Sequence, residues 1–202
     1  HSWFALTSDG TLFGWGHPKV GHLGTGGTAT IPVTQIDTNV AEIVASKGGS
    51  TTNTAAWYRK TNGELYAAGY NAYGQLGLGD ANPRTTFVQS ATAPTNITKM
   101  VVSGGANYDS VLALTSDNEA FGVGYNVNGC LGIGNITNQN TWQKAVFQKP
   151  IIDIASCGHE SAENVFMAIT EDGGLYCSGT GSGNMNGDFS ASLCNTFQPI
   201  VL

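Results

Sequence analysis

One short segment occurs four times in this chain, and it constrains the fold more than any other feature. ALTSDGTLFGWG (5–16) returns as AWYRKTNGELYAAG (56–69), ALTSDNEAFGVG (113–124) and AITEDGGLYCSG (168–179). The closing glycines, Gly16, Gly69, Gly124 and Gly179, are 53, 55 and 55 residues apart. Self-similarity at that period calls for stacked supersecondary units, each too small to bury its own apolar faces. Every copy has a short apolar strand, a tight turn and a second strand in which apolar residues alternate with small ones. Asp9-Gly10, Asn62-Gly63 and Asp172-Gly173 mark the turns, because such pairs accept positive φ at low cost. Asp117-Asn118 fills the same place in the third copy, and Asn tolerates that conformation next best.

A Gly-rich loop follows each hairpin: GHPKVGHLGTGG (16–27), GYNAYGQLGLGD (69–80), GYNVNGCLGIGN (124–135) and the eroded GTGSGNMNGD (179–188). A further strand precedes the next hairpin: VAEIVAS (40–46), ITKMVVSG (97–104) and IIDIASCG (151–158). These begin apolar, carry a polar third position and an aliphatic fourth. Helical periodicity of useful length is missing from the chain. All-β units of this length suit the blades of a propeller. Ala5, Ala113, Ala168 and the closing glycines are expected on the innermost strands, where small residues permit crowding at the axis.

The repeat resembles that of the regulator of chromosome condensation family, at His1-Ser2, Ala5 to Gly10, Trp15-Gly16, Asn71, Gly74 to Asp80 and Ala155 to Gly158. The resemblance covers the whole chain in four copies and implies a β-propeller whose family usually has seven blades. The expected organisation is a single propeller, or an arc of one, over 1–202, with repeats at 1–46, 47–104, 105–158 and 159–202. Four hairpins stand beside only three strands of the V-x-x-I-A-x-G kind, which suggests part of a larger ring or closure between subunits as a homo-oligomer. The start, HSWFALTSDG, lacks an initiator Met and the basic and apolar runs of a signal peptide, and reads as the interior of a longer protein.

Composition narrows the function. Only 11% of the residues are charged and the net charge is −6, against about 25% charged in ordinary soluble domains. Nucleic-acid binding driven by the phosphate backbone needs clustered Lys and Arg, and eight scattered basic residues form no cluster. No apolar run is long enough for membrane insertion. Cys130, Cys157, Cys177 and Cys194 contain no C-x-x-C zinc pattern, and sequence cannot pair them.

No constellation supports catalysis, a cofactor or a metal. A dinucleotide loop must follow a strand and open a helix, and the Gly-rich loops open none. His17 and His22 share a loop, yet His22 stands where the other copies have Gln75 and Cys130, which marks a varied repeat position. The connections before the second, third and fourth hairpins are longer than the family's, through KGGSTTNT, GANYDSVL and HESAENVFM. They carry Tyr108, Asp109, His159, Glu160, Glu163 and Asn164, the candidate partner-binding residues, since variable loops on a rigid scaffold host binding. Tyr70, Tyr73 and Tyr125 are either hot spots on a partner or packing between blades. The chain is therefore expected to be a non-enzymatic binding or structural propeller contacting protein or glycan. Its charge-poor composition suggests a virion protein such as a bacteriophage tail fibre, spike or decoration protein, or another extracellular recognition protein. A guanine-nucleotide exchange factor, or a protein-inhibitor or scaffold propeller, is the alternative that the resemblance implies.

Overall fold

The computed structural model describes residues 2–46, 53–104, 108–158, 164–180 and 193–200, and within them the chain forms 15 strands joined by turns and loops. The first sheet contains β1 (Ser2–Leu6), β2 (Leu12–Gly16) and β3 (Ile31–Asp37). The second contains β4 (Val40–Ala45), β5 (Ala55–Lys60), β6 (Leu65–Gly69) and β7 (Arg84–Gln89). The third runs through β8 (Ile97–Ser103), β9 (Ser110–Thr115), β10 (Ala120–Gly124) and β11 (Gln139–Lys144). The fourth is β12 (Ile151–Gly158), β13 (Asn164–Thr170), β14 (Leu175–Gly179) and β15 (Cys194–Pro199). In each sheet, chain neighbours pair antiparallel, so every sheet is one blade-like meander.

The repeated hairpins are β1–β2, β5–β6, β9–β10 and β13–β14. At their turns only the second residue of each pair turns left-handed: Gly10 (φ 82°), Gly63 (φ 91°), Asn118 (φ 61°) and Gly173 (φ 80°). The V-x-x-I-A-x-G segments are β4, β8 and β12, each paired to the hairpin that follows it. Repeats divided at 46, 104 and 158 thus cut after this strand, whereas the sheets divide before it. Among the described residues the first sheet has no such strand.

Strands β4, β8 and β12 pack on one another from blade to blade. Side-chain hydroxyls tie two of them together, Ser103 Oγ donating to Cys157 O (2.8 Å) and Ser156 Oγ to Val102 O (2.8 Å). These are the inner strands, so Ala113 and Ala168 are one strand further out than expected, on β9 and β13, while Ala5 lies on β1, the innermost described strand of its sheet. In the second, third and fourth sheets the free edge of the hairpin's first strand accepts the inner strand, and that pairing displaces Ala113 and Ala168 from the axis.

Blades bury each other's faces. Val111 and Ala113 pack with Trp57 and Met100 towards the second blade, while Leu112 and Leu114 pack with Ile154 and Phe166 towards the fourth. Successive side chains of a strand point to opposite faces, so β9 is buried along its whole length. Full burial of such a side chain contributes about 1.5–3 kcal/mol.

The Gly-rich loops lock successive blades together. Gly26, Gly79 and Gly134 each donate 2.8 Å backbone bonds to the outer strand of the following blade, at Thr85, Asn140 and Asn195. Gly24, Gly77 and Gly132 lie against the rings of Phe87, Trp142 and Phe197, where a Cβ would overlap the aromatic atoms. A buried Asn braces each of two loops. Asn71 Nδ2 donates to Asp80 O and Asn82 O (3.0 Å each), and its Oδ1 accepts from Leu76 N (2.9 Å). Asn126 repeats the pattern with Asn135, Thr137 and Leu131.

Candidate functional site

The two ends of the blades differ chemically. At the hairpin-turn end, charged side chains pair: Arg59 with Glu42 (3.7 Å), Lys60 with Asp37 (2.9 Å), Lys99 with Asp153 (2.6 Å), Lys144 with Glu119 (2.5 Å) and Lys149 with Asp172 (2.8 Å). The exposed pairs among them, Lys99–Asp153, Lys144–Glu119 and Lys149–Asp172, contribute under about 1 kcal/mol each, so they set surface character more than stability. The opposite end carries the closing glycines and the entrances to the hairpins. Of the ion pairs among the described residues, only Arg84–Asp80 (2.6 Å) belongs to that end.

Four half-buried tyrosines gather at this loop end. Tyr73 packs on Tyr70, Tyr108 and Tyr125 at ring-centroid distances of 6.4, 5.6 and 5.3 Å, and Tyr108 meets Tyr125 at 4.9 Å. Tyr70 and Tyr73 come from the loop after β6, Tyr108 and Tyr125 from the ends of the third hairpin, so the cluster bridges two blades. Its rings meet edge-on or tilted, the arrangement aromatic quadrupoles favour. Burial raises the hydroxyl pKa of Tyr73 and of Tyr125.

Buried polar groups fix the backbone under the rings. Asn164 is fully buried, and its Nδ2 donates to Tyr108 O (2.5 Å) and Ser110 Oγ (2.9 Å). Ser110 Oγ in turn donates to Tyr125 O (2.6 Å), and Tyr125 N donates to Asp109 O (3.1 Å). The fourth blade therefore holds the aromatic cluster of the third.

Strand register makes Thr54, Asp109 and Asn164 equivalent, each preceding the residue that pairs with a closing glycine or is that residue's neighbour in β13. The loop of the preceding repeat presents His22, Gln75 or Cys130 to these positions. His22 uses both ring nitrogens there, at 2.7 Å from Thr54 Oγ1 and 2.6 Å from Ser2 Oγ. Desolvation lowers its pKa to about 4, and with both nitrogens engaged it is an interface wedge with no lone pair for a metal. Cys130 Sγ donates to Ser110 Oγ (3.2 Å). At the middle interface Gln75 Nε2 and Asp109 Oδ2 are buried without hydrogen-bond partners, and burial pushes the Asp109 carboxyl up to about 7.

Of the predicted partner-binding residues, Tyr108 lies in the aromatic cluster, while Asp109 and Asn164 are buried between blades beneath it. His159, Glu160 and Glu163 lie outside the described residues. Tyr70, Tyr73 and Tyr125 do not insert singly between blades but join Tyr108. The Tyr that follows the closing glycine in GYNAYG and GYNVNG is the sequence signal for that assembly. No disulfide joins the four cysteines: Cys130, Cys177 and Cys194 are buried and Cys157 is exposed.

Residues 62–108 match the family model for the regulator of chromosome condensation (RCC1) repeat. The chain is 32% identical over 205 residues to the ultraviolet-B receptor UVR8 of Arabidopsis thaliana, covering 98% of this chain and 43% of that protein. It is 34% identical over 149 residues to the X-linked retinitis pigmentosa GTPase regulator of Canis lupus familiaris, covering 72% of this chain and 14% of that one. The crystal structure of Prp20p from Saccharomyces cerevisiae superposes with a TM-score of 0.76 at 18% identity, over all of this chain and 48% of the other. The chain thus spans less than half the length of each.

Proposed function

We propose, the chain being an RCC1-like β-propeller, that it is a non-catalytic protein-binding module whose loop end docks a regulated partner. The partition of side chains carries this reading. Charge pairs occupy the turn end, whereas a tyrosine cluster held from beneath by Asn164 and Ser110 occupies the loop end. Tyrosine offers large contact area with few rotors to immobilise, and it is enriched where binding energy concentrates. The relatives support the class. One is named a GTPase regulator, another a receptor, and the Prp20p structure is described with its binding to Gsp1p and histones.

The test is site-specific photocrosslinking in the cells that make the protein, with a photoreactive phenylalanine at Tyr73 or, as control, at Thr61 on the turn end. Adducts with another protein from position 73 and none from position 61 support the reading. Adducts from neither position, or equally from both, refute it. Regulation of a small GTPase is the finer version that the relatives favour. Acceleration of fluorescent-GDP release from such a GTPase would support it, and binding without acceleration would restrict the module to scaffolding. The charge-poor surface also supports a virion or other extracellular setting with a protein or glycan receptor. Mass spectrometry of purified virions, or of secreted protein, tests that reading.

A further inference from the structure

We infer that a groove at the turn end, between the second hairpin and the segment leading to the third blade, binds a small hydroxylated carboxylate, a sugar acid in class, through Arg59. Strand register exposes the anomaly that marks it. Arg59 pairs with Leu65 as Leu6 pairs with Leu12, Leu114 with Ala120 and Ile169 with Leu175. Three repeats thus place an aliphatic residue where the second places a guanidinium. Alternate residues of a strand share a face, so Arg59 follows Ala55 and Trp57 towards the core shared with the third blade. Its counterpart Leu114 is only 5% exposed. A charge in such a seam costs stability, and departures from a fold's own packing rule concentrate at functional sites.

The fold does not consume the guanidinium. Arg59 Nε is buried without a hydrogen-bond partner. Glu42 Oε2 stands 3.7 Å from it, beyond hydrogen-bonding distance, and Glu42 Oε1 accepts from Met100 N (3.1 Å). With Thr61, Asn62, Gln89, Thr95 and Asn96, Arg59 lines a groove of about 510 Å³, a volume in the range of small-molecule sites. Glu64 lines it too, but its Oε2 accepts from Tyr66 Oη (3.2 Å). In the third blade Lys144 takes the place of Gln89 and pairs with Glu119, so the corresponding groove of about 350 Å³ has its cation already engaged. A guanidinium fork matches a carboxylate through two parallel bonds. The neutral amides and hydroxyls around it suit a ligand's hydroxyl groups, and the nearby carboxylates of Glu42 and Glu64 disfavour a doubly charged phosphate.

Sodium glucuronate, titrated into the intact protein at fixed ionic strength, should shift the Arg59 Nε–H and the Asn62 and Asn96 side-chain amide signals saturably in heteronuclear NMR spectra. Uncharged glucose and inorganic phosphate should each bind about tenfold more weakly or worse, since each lacks part of the recognition. Arg59→Leu combined with Glu42→Gln restores the aliphatic residue of the other repeats and leaves no charge unpaired. That double variant is expected to stay folded by far-UV dichroism and to lose affinity about tenfold or more. Glu42→Gln alone removes the competing carboxylate and should tighten binding. No saturable shift in the wild type, equal affinity for glucose or phosphate, weaker binding in Glu42→Gln, or binding that survives in the double variant overturns the inference.

Discussion

At the residue scale, two buried groups give the fold opposite responses to pH. Asp109 occupies the place where Asn164 donates to the backbone of the preceding blade, and a carboxylate has no hydrogen to donate. Its folded pKa of about 7 stands above the ordinary 3.8, so the folded state holds the proton more tightly. Stability from this group is greatest at acid pH and is lost as pH rises from about 4 to about 7. Asp109→Asn supplies a permanent donor. It is expected to raise the unfolding free energy at about pH 8 by about 1–3 kcal/mol, the usual penalty of an unpaired buried polar group, and to change little near pH 5. Urea denaturation at the two pH values measures this. His22 has the reverse sign. Its folded pKa, about 4, is below the ordinary 6.5, so its contribution is intact above about 6.5 and is lost as pH falls through that window. His22→Gln, the residue that Gln75 provides in the next copy, should remove the acid-side loss. Stability of that variant should then rise steadily from about pH 7 to pH 4.5, where the wild type stays flatter because its two slopes oppose.

At the element scale, the Gly-rich loops reward two separate properties of glycine. Gly77 combines positive φ (67°) with the Trp142 ring where a Cβ would be, whereas Gly63 has positive φ (91°) and open space. Gly63→Ala should cost about 1–2 kcal/mol for the left-handed backbone alone. Gly77→Ala adds displacement of a buried indole, and its loss should exceed that of Gly63→Ala by about 1–3 kcal/mol, the scale of overpacking. Thermal melts of the two variants side by side check the difference. The hairpins were legible because Asp-Gly and Asn-Gly encode the turn locally. The strand order was not. The pattern of VAEIVAS marks a strand, but the edge it joins is decided by tertiary pairing, and for that reason Ala113 and Ala168 seemed to belong at the axis.

Across the whole molecule, charge and aromatic groups are sorted to opposite ends. Binding through the tyrosine cluster should therefore depend little on ionic strength, since screening acts on exposed charge over about 10 Å at 0.1 M salt. Partner affinity measured from about 0.05 to 0.5 M salt should change less than threefold, whereas docking on the paired charges of the turn end would weaken steeply. Sequence reasoning reached this end of the fold through the lengthened connections and Tyr108. It did not reach the cluster, because Tyr73 and Tyr125 lie 52 positions apart and are united only by blade stacking. Nor did it show that Asp109 and Asn164, read as partner contacts, are buried between blades.

The loop-on-next-blade clasp also imposes a schedule on synthesis. Asn140 bonds to Gly79, and Asn195 to Gly134, each across 61 residues. A nascent chain can close a hairpin as soon as it emerges, but each loop must wait for an outer strand that the ribosome makes a full repeat later. Each of the first three blades is therefore left unlatched for that interval, and it is secured by its successor.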